Sequence, residues 1–119
     1  MKKINTHKQI PKPYPKSDDS VRLMDATMST PLICRPFDVD GADLVVHSLT
    51  KYYGGHSDVT CGVLIMSKSP SKLTQETFER ARETQTTFGA CPSPFDCWMV
   101  LRGIRSMSAR VRIQSDNAR

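Results

Sequence analysis

The stretch Asp43-Leu44-Val45-Val46-His47-Ser48-Leu49-Thr50-Lys51-Tyr52-Tyr53-Gly54-Gly55-His56-Ser57 decides how the rest of the chain is read. Leu44-Val45-Val46 is a short apolar run of the kind that forms a buried strand. It stops at two hydroxyls, Ser48 and Thr50, followed by Lys51, two tyrosines and the pair Gly54-Gly55. Glycines permit a tight turn and close backbone approach, which residues carrying a Cβ resist. The segment is therefore expected to fold back sharply from the end of its strand.

Lys51 is the candidate catalytic residue. A lysine attacks a carbonyl only as the neutral amine, a form favoured by burial or by a neighbouring cation. Taken alone, a lysine beside glycines is most often a solvated loop residue, because Lys is almost never fully buried without a partner. Context argues for more, since open α/β sheets bind ligands at the carboxyl ends of their strands. An amine, two hydroxyls and a glycine turn at such an edge suit a phosphorylated aldehyde cofactor.

These residues resemble the lysine signature of the pyridoxal 5′-phosphate (PLP)-dependent enzymes of cysteine and methionine metabolism. That group contains cystathionine γ-synthase, cystathionine γ-lyase, cystathionine β-lyase and methionine γ-lyase. Asp43, Leu44, Ser48, Thr50, Lys51, Tyr52, Gly55, His56 and Ser57 stand in register with it, while Leu49 and Tyr53 depart from it. Upstream, Asp25-Ala26-Thr27 resembles the family's Asp-Asn-Thr, with Ala26 in place of Asn. Downstream, the segment from Pro92 to Arg105 is similar to a third family stretch, so that the resemblance runs from Leu23 to Ala118.

The resemblance implies an α/β fold: a partial fold-type-I PLP-dependent transferase large domain, three-layer α/β/α, with a mostly parallel sheet and one antiparallel strand. The chain is expected to be an incomplete piece, the C-terminal part of that domain over residues 21–119. Lys51 would be the Schiff-base lysine and would shuttle protons on the substrate. Asp25 would pair with the protonated pyridine nitrogen, and Ser48 and Thr50 would bind the phosphate. The structural alternatives are a turn or cap role for Asp25 and strand-end capping by Ser48 and Thr50. His56 and Ser57 are assigned to turn structure and Tyr52 and Tyr53 to packing, while Arg105, Arg110, Arg112 and Arg119 receive no role. The implied activity is transsulfuration by elimination or replacement at the γ carbon of cystathionine or a related amino acid, in a homo-oligomer. The alternative is a non-catalytic fragment that associates with full-length subunits.

Composition bounds these readings. The net charge of +5 sits mostly in the first 22 residues, where six basic side chains face only Asp18 and Asp19, leaving +1 for the remainder. A nearly neutral domain argues against nucleic acid as the partner. Cys34, Cys61, Cys91 and Cys97 include no close pair at zinc or redox spacing, and His47, His56 and Cys61 lack recognisable zinc-ligand spacing. Reduced thiols in a cytoplasmic protein are the simplest reading. No apolar run reaches membrane-spanning length, and the first residues lack a signal peptide's apolar centre.

Residues 1–20, rich in Lys, Pro, Ser and Asp, read as a disordered or extended tail. Val21 to Met24 is expected as a strand closing at Asp25, Met28 to Gly41 as a connection with a helical turn, and Ala42 to His47 as the next strand. Between Ser48 and Cys61 there is no room for a helical crossover, so Gly62 to Met66 is expected to run antiparallel to its predecessor. Ser69-Pro70 should cap a helix over Lys72 to Phe88, with Leu73, Thr77, Ala81, Thr84 and Phe88 as its apolar stripe and Gly89 as its stop. Ser93 and Asp96 form a capping box for a further helix, apolar nearly all round from Cys97 to Leu101, which should leave an exposed patch. Ser108 to Arg119 continues as basic helix.

Overall fold

The computed structural model describes Ser17 and residues 19–118; most of the tail expected over residues 1–20 lies outside the described residues. The elements are β1 (Leu23–Asp25), α1 (Thr30–Ile33), α2 (Pro36–Val39), β2 (Leu44–Ser48), a wide helical turn (Thr50–Gly54), β3 (Gly62–Met66), α3 (Lys72–Phe88) and α4 (Pro94–Asn117). The three strands make one mixed sheet in the order β1-β2-β3. β1 runs parallel to β2, with Asp25 opposite Val46, and β3 runs antiparallel, with Ser48 opposite Gly62. The antiparallel arrangement follows from the short connection, because thirteen residues spent on a turn and loop cannot also carry a crossover helix.

β2 is the centre of the sheet and its most buried strand. Val45 is 1% exposed and joins Ala26 and Ala42 in a small core, against which Met24 and Phe37 pack. β1 starts two residues later than expected because Arg22 is diverted from the ladder. Its N–H donates to Asp43 Oδ2 at 2.8 Å and its Nη1 to the Asp40 carbonyl at 2.6 Å, so the side chain ties the entry to β2 instead of being buried in the sheet. Proline at the first turn starts both α1 and α2, each a single turn long.

Two expectations for α3 are corrected. Its N-cap is Ser71, not Ser69: Ser71 Oγ accepts from the Thr74 N–H at 3.1 Å and lies 2.8 Å from the Thr74 hydroxyl, a double contact that Ser69 has no threonine to match. The inward face is Thr74, Phe78 and Ala81: Thr74 and Phe78 replace the expected Leu73 and Thr77, while Ala81 keeps its expected place. Thr77 and Thr84 donate their hydroxyls to carbonyls four residues back, at 2.8 Å each, and Phe88 is 81% exposed. Gly89, at φ 67°, ends the helix as expected.

The capping box of α4 is formed, with Ser93 Oγ accepting from the Asp96 N–H at 3.1 Å and Asp96 Oδ2 accepting from the Ser93 N–H at 3.4 Å. From there one continuous helix runs to Asn117, passing through Gly103 and Ser106 without a break. Among the described residues, no helix is long and apolar enough to cross a membrane.

Candidate functional site

The carboxyl ends of β1 and β2 lie side by side, and Thr27 joins them. Asp25 Oδ1 accepts from the Thr27 N–H at 2.9 Å, while Thr27 Oγ1 accepts from the Ser48 N–H at 2.8 Å. The exposed Asp25 carboxyl is held below the usual carboxylate range, first by the Thr27 hydroxyl, then by the Thr27 N–H, with desolvation acting the other way. Thr27 thus fixes both the carboxylate and the start of the Lys51 turn. The sequence reading used it only as part of a three-residue resemblance, because a bond spanning 21 residues leaves no local pattern.

The Lys51 turn is irregular. The Gly54 N–H donates five residues back to the Leu49 carbonyl and the Gly55 N–H four back to the Lys51 carbonyl, both at 2.7 Å. Lys51 itself has ψ −113°, far from helical, and Gly55 closes the turn at φ 72°, a conformation natural to glycine. Thr50 Oγ1 accepts from the Cys61 N–H at 3.1 Å, which anchors the turn to the start of β3. His56 Nδ1 lies 2.7 Å from the Gly54 carbonyl, in the turn role expected for it. Tyr53 packs edge-on against His47, ring centroids 5.0 Å apart, as packing residues would.

Helix α4 holds the far side of this turn. Gly103 passes so near that a Cβ there would collide with the Gly54 carbonyl oxygen and lie 2.7 Å from that of Tyr53. Arg110, given no role from sequence, donates from Nη2 to the Tyr52 carbonyl at 2.8 Å. An open cleft of about 400 Å³ results, lined by Thr50, Lys51, Gly55 and Ser57 together with Arg110 and Gln114. The Lys51 side chain is exposed in it, and its ammonium has no hydrogen-bond or carboxylate partner among the described residues. The structure therefore brings Thr50 and Lys51 into one cleft, and sets Asp25 and Ser48 beside it through Thr27 and not on its lining. A larger cleft of about 520 Å³ between β3 and α3, lined by Leu64, Phe78 and Gln85, contains none of these groups.

Comparison with known proteins identifies the frame around this site. The chain is 44% identical over 96 residues to a probable cystathionine gamma-synthase of Herpetosiphon aurantiacus, covering 81% of this chain and 28% of that one. It is 42% identical over 101 residues to the cystathionine gamma-lyase of Saccharomyces cerevisiae, covering 85% of this chain and 24% of that one. Among solved structures, the yeast cystathionine gamma-lyase superposes with a TM-score of 0.62 at 42% identity over 73% of this chain and 20% of that one. A cystathionine gamma synthase from Xanthomonas oryzae pv. oryzae, in complex with aminoacrylate and cysteine, superposes with a TM-score of 0.62 at 37% identity over 76% of this chain and 22% of that one. The chain spans no more than 28% of the length of these relatives, and its fold is accordingly a partial fold-type-I α/β domain. The family pattern described as Cys/Met metabolism PLP-dependent enzyme matches residues 8–119, and the chain belongs to that family.

Proposed function

We propose that this chain carries the lysine and cofactor-facing edge of a PLP-dependent transsulfuration enzyme. It acts on cystathionine or a related sulfur amino acid or homoserine ester by elimination or replacement at the γ carbon. The observation that supports this best is the single carboxyl edge shared by Asp25, Ser48, Thr50 and Lys51, with Thr27 bonded to both strands. The donor set suits the cofactor. Asp25, with its pKa lowered, is an ionised carboxylate at neutral pH, which is what a protonated ring nitrogen requires. Thr50 accepts from Cys61 and keeps its O–H to donate to a phosphate oxygen, and the Ser48 hydroxyl has no hydrogen-bond partner among the described residues.

The bound cofactor supplies an electron sink for charge developing at the substrate α carbon. The chain's own residues do the rest. Lys51 Nζ would accept a proton from the substrate α carbon and then one from the β carbon, whose removal lets the γ substituent leave, and each removal requires a neutral amine. The amino-acid substrate, homo-oligomeric assembly and a cytoplasmic, reducing location belong to the same proposal, the last supported by four free thiols.

Titration with PLP, followed by imine absorbance, borohydride reduction and peptide mass analysis, tests it. The expected result is a saturable signal located on Lys51 and lost in Lys51→Ala. No signal, or one that survives the substitution, would overturn the assignment. The second reading is a non-catalytic piece that associates with full-length subunits. It is favoured by the exposed apolar start of α4, where Phe95 and Leu101 are each 65% exposed and Trp98 56%. Turnover of cystathionine by the chain alone, lost in Lys51→Ala, removes that reading.

A further inference from the structure

We infer that Arg110 is a positioning residue for Lys51, setting the direction of the lysine by holding the peptide units that follow it. Its guanidinium is spent on the backbone. Nη2 donates to the carbonyls of Tyr52 at 2.8 Å and Gly103 at 3.0 Å, with Tyr53 O at 3.5 Å, and Nε donates to Ser106 Oγ at 3.0 Å. Ser106 Oγ in turn donates to the Gly103 carbonyl at 3.1 Å, which locks the acceptor that orients the arginine. Tyr52 O and Tyr53 O are the terminal carbonyls of the turn, its electronegative end, where a cation is favourable and where carbonyls lack regular helical partners.

The placement leaves little freedom. A Cβ on Gly55 would fall on the Arg110 guanidinium, so the residue that closes the turn and the residue that clamps it are fitted to one another. On the other side, Thr50 is tied to Cys61 across 11 residues. Lys51 is the one residue between these two anchors and the one in the turn with non-helical ψ, so its Cα–Cβ direction is set from both sides. An ammonium at position 110 would not reproduce this, because a lysine presents a point charge where arginine presents a planar fork able to reach two carbonyls at once.

The inference rests on the proposed role of Lys51 only for its catalytic consequence; the geometry is tested without cofactor. In the protein carrying Arg110→Gln, amide hydrogen exchange is read at Gly54 and Gly55 and, as internal reference, at Val45 and Ile65 of the sheet. Acylation of Lys51 relative to Lys68 by an amine-reactive ester is read by mass analysis. The expected result is exchange faster by about tenfold at Gly54 and Gly55 with the sheet amides unchanged, and a shifted Lys51 to Lys68 labelling ratio, since a charge-assisted bond to a local opening unit is lost. Arg110→Lys, which keeps the charge and stem, is expected to show the same local loosening and supplies the comparison if the glutamine variant does not fold. Unchanged exchange and labelling overturn the inference, and so does equal acceleration in turn and sheet, which marks an ordinary fold-stabilising contact. Failure of PLP to trap on Lys51 in the unsubstituted protein, with the local loosening present, removes the proposed function and leaves the positioning role standing.

Discussion

Helix α4 presents two different surfaces along one rod. Its first two turns hold the most apolar residues of the segment, yet Phe95, Trp98 and Leu101 stay largely in solvent, with Phe95 and Trp98 stacked on each other at a centroid distance of 6.0 Å. From its second turn on, a narrower stripe of Val100, Gly103, Met107 and Val111 is buried at helical spacing. Gly103 in that stripe contributes no side chain at all. What fastens the helix to the Lys51 turn is closeness, backbone against backbone with an arginine across the gap, whereas the large apolar side chains at the other end remain more than half exposed.

The sharpest way to break this contrast is to add one methyl group. Gly103→Ala places a Cβ where the Gly54 and Tyr53 carbonyls now sit, both of them backbone atoms that cannot rotate away. The helix or the turn must shift, at a cost of about 1–3 kcal/mol in unfolding free energy, the range typical of overpacking a fitted contact. Urea denaturation checks this, and borohydride trapping at Lys51 should fall in parallel. A variant as stable as its parent would show that α4 and the turn have slack that the geometry denies.

Sequence made one side of this comparison legible and not the other. The bounds of β3 and α3, the glycine stop at Gly89 and the Ser93–Asp96 capping box are local signals, decided by residues within a few positions of each other, and they are found in the structure. The exposed apolar start of α4 was likewise visible, since residues from Cys97 to Leu101 cannot all face one neighbour. The two contacts that define the site's rigid end span 58 residues for Arg110 with Tyr52 and 21 for Thr27 with Ser48, and no periodicity announces them. Gly103 could have been suspected, because a glycine inside a helix costs about 1 kcal/mol relative to alanine and needs a reason to be there. Two of the local readings still slipped: the Ser69-Pro70 cap gave way to Ser71 because Thr74 offered a second hydroxyl, and Thr77 and Thr84 of the expected α3 stripe bond to their own helix, so that Thr74 and Phe78 join Ala81 on the inward face.

A gentler perturbation of the tight end uses pH. His47 is 3% exposed beneath the turn, edge-on to Tyr53, with Nδ1 unpartnered among the described residues. Burial pushes its pKa below the ordinary 6.5, while the Asp25 charge and the Ala26 backbone pull the other way. The folded state therefore binds the proton less readily than the unfolded chain. Stability from this group is fully present above the ordinary 6.5 and falls as pH drops below it, at no more than about 1.4 kcal/mol per pH unit. Asp25, the carboxylate facing His47, has its own pKa lowered from 3.8 and so stays ionised across the window between pH 5 and 6.5. Urea midpoints in that window should fall with acidification in the parent and flatten in His47→Gln. A slope that persists in the variant would assign the acid sensitivity to another group.

The smallest effect is expected at the other end of α4. Trp98→Ser removes the largest side chain of the helix, and an accounting by size alone would make it a severe substitution. Exposure decides otherwise: at 56% accessible and stacked only on the still more exposed Phe95, the indole gains little burial on folding. Its loss should change unfolding free energy by only about 0.5 kcal/mol, the scale of surface positions. The same change should reduce binding of an apolar dye and light scattering at high protein concentration, because it interrupts a contiguous apolar surface. Stability that drops by several times that amount, and does so more at high than at low protein concentration, would mean that this end of the helix is covered in solution by another copy of the chain. The helix would then be fastened at both ends, by fitted backbone at one and by apolar area at the other.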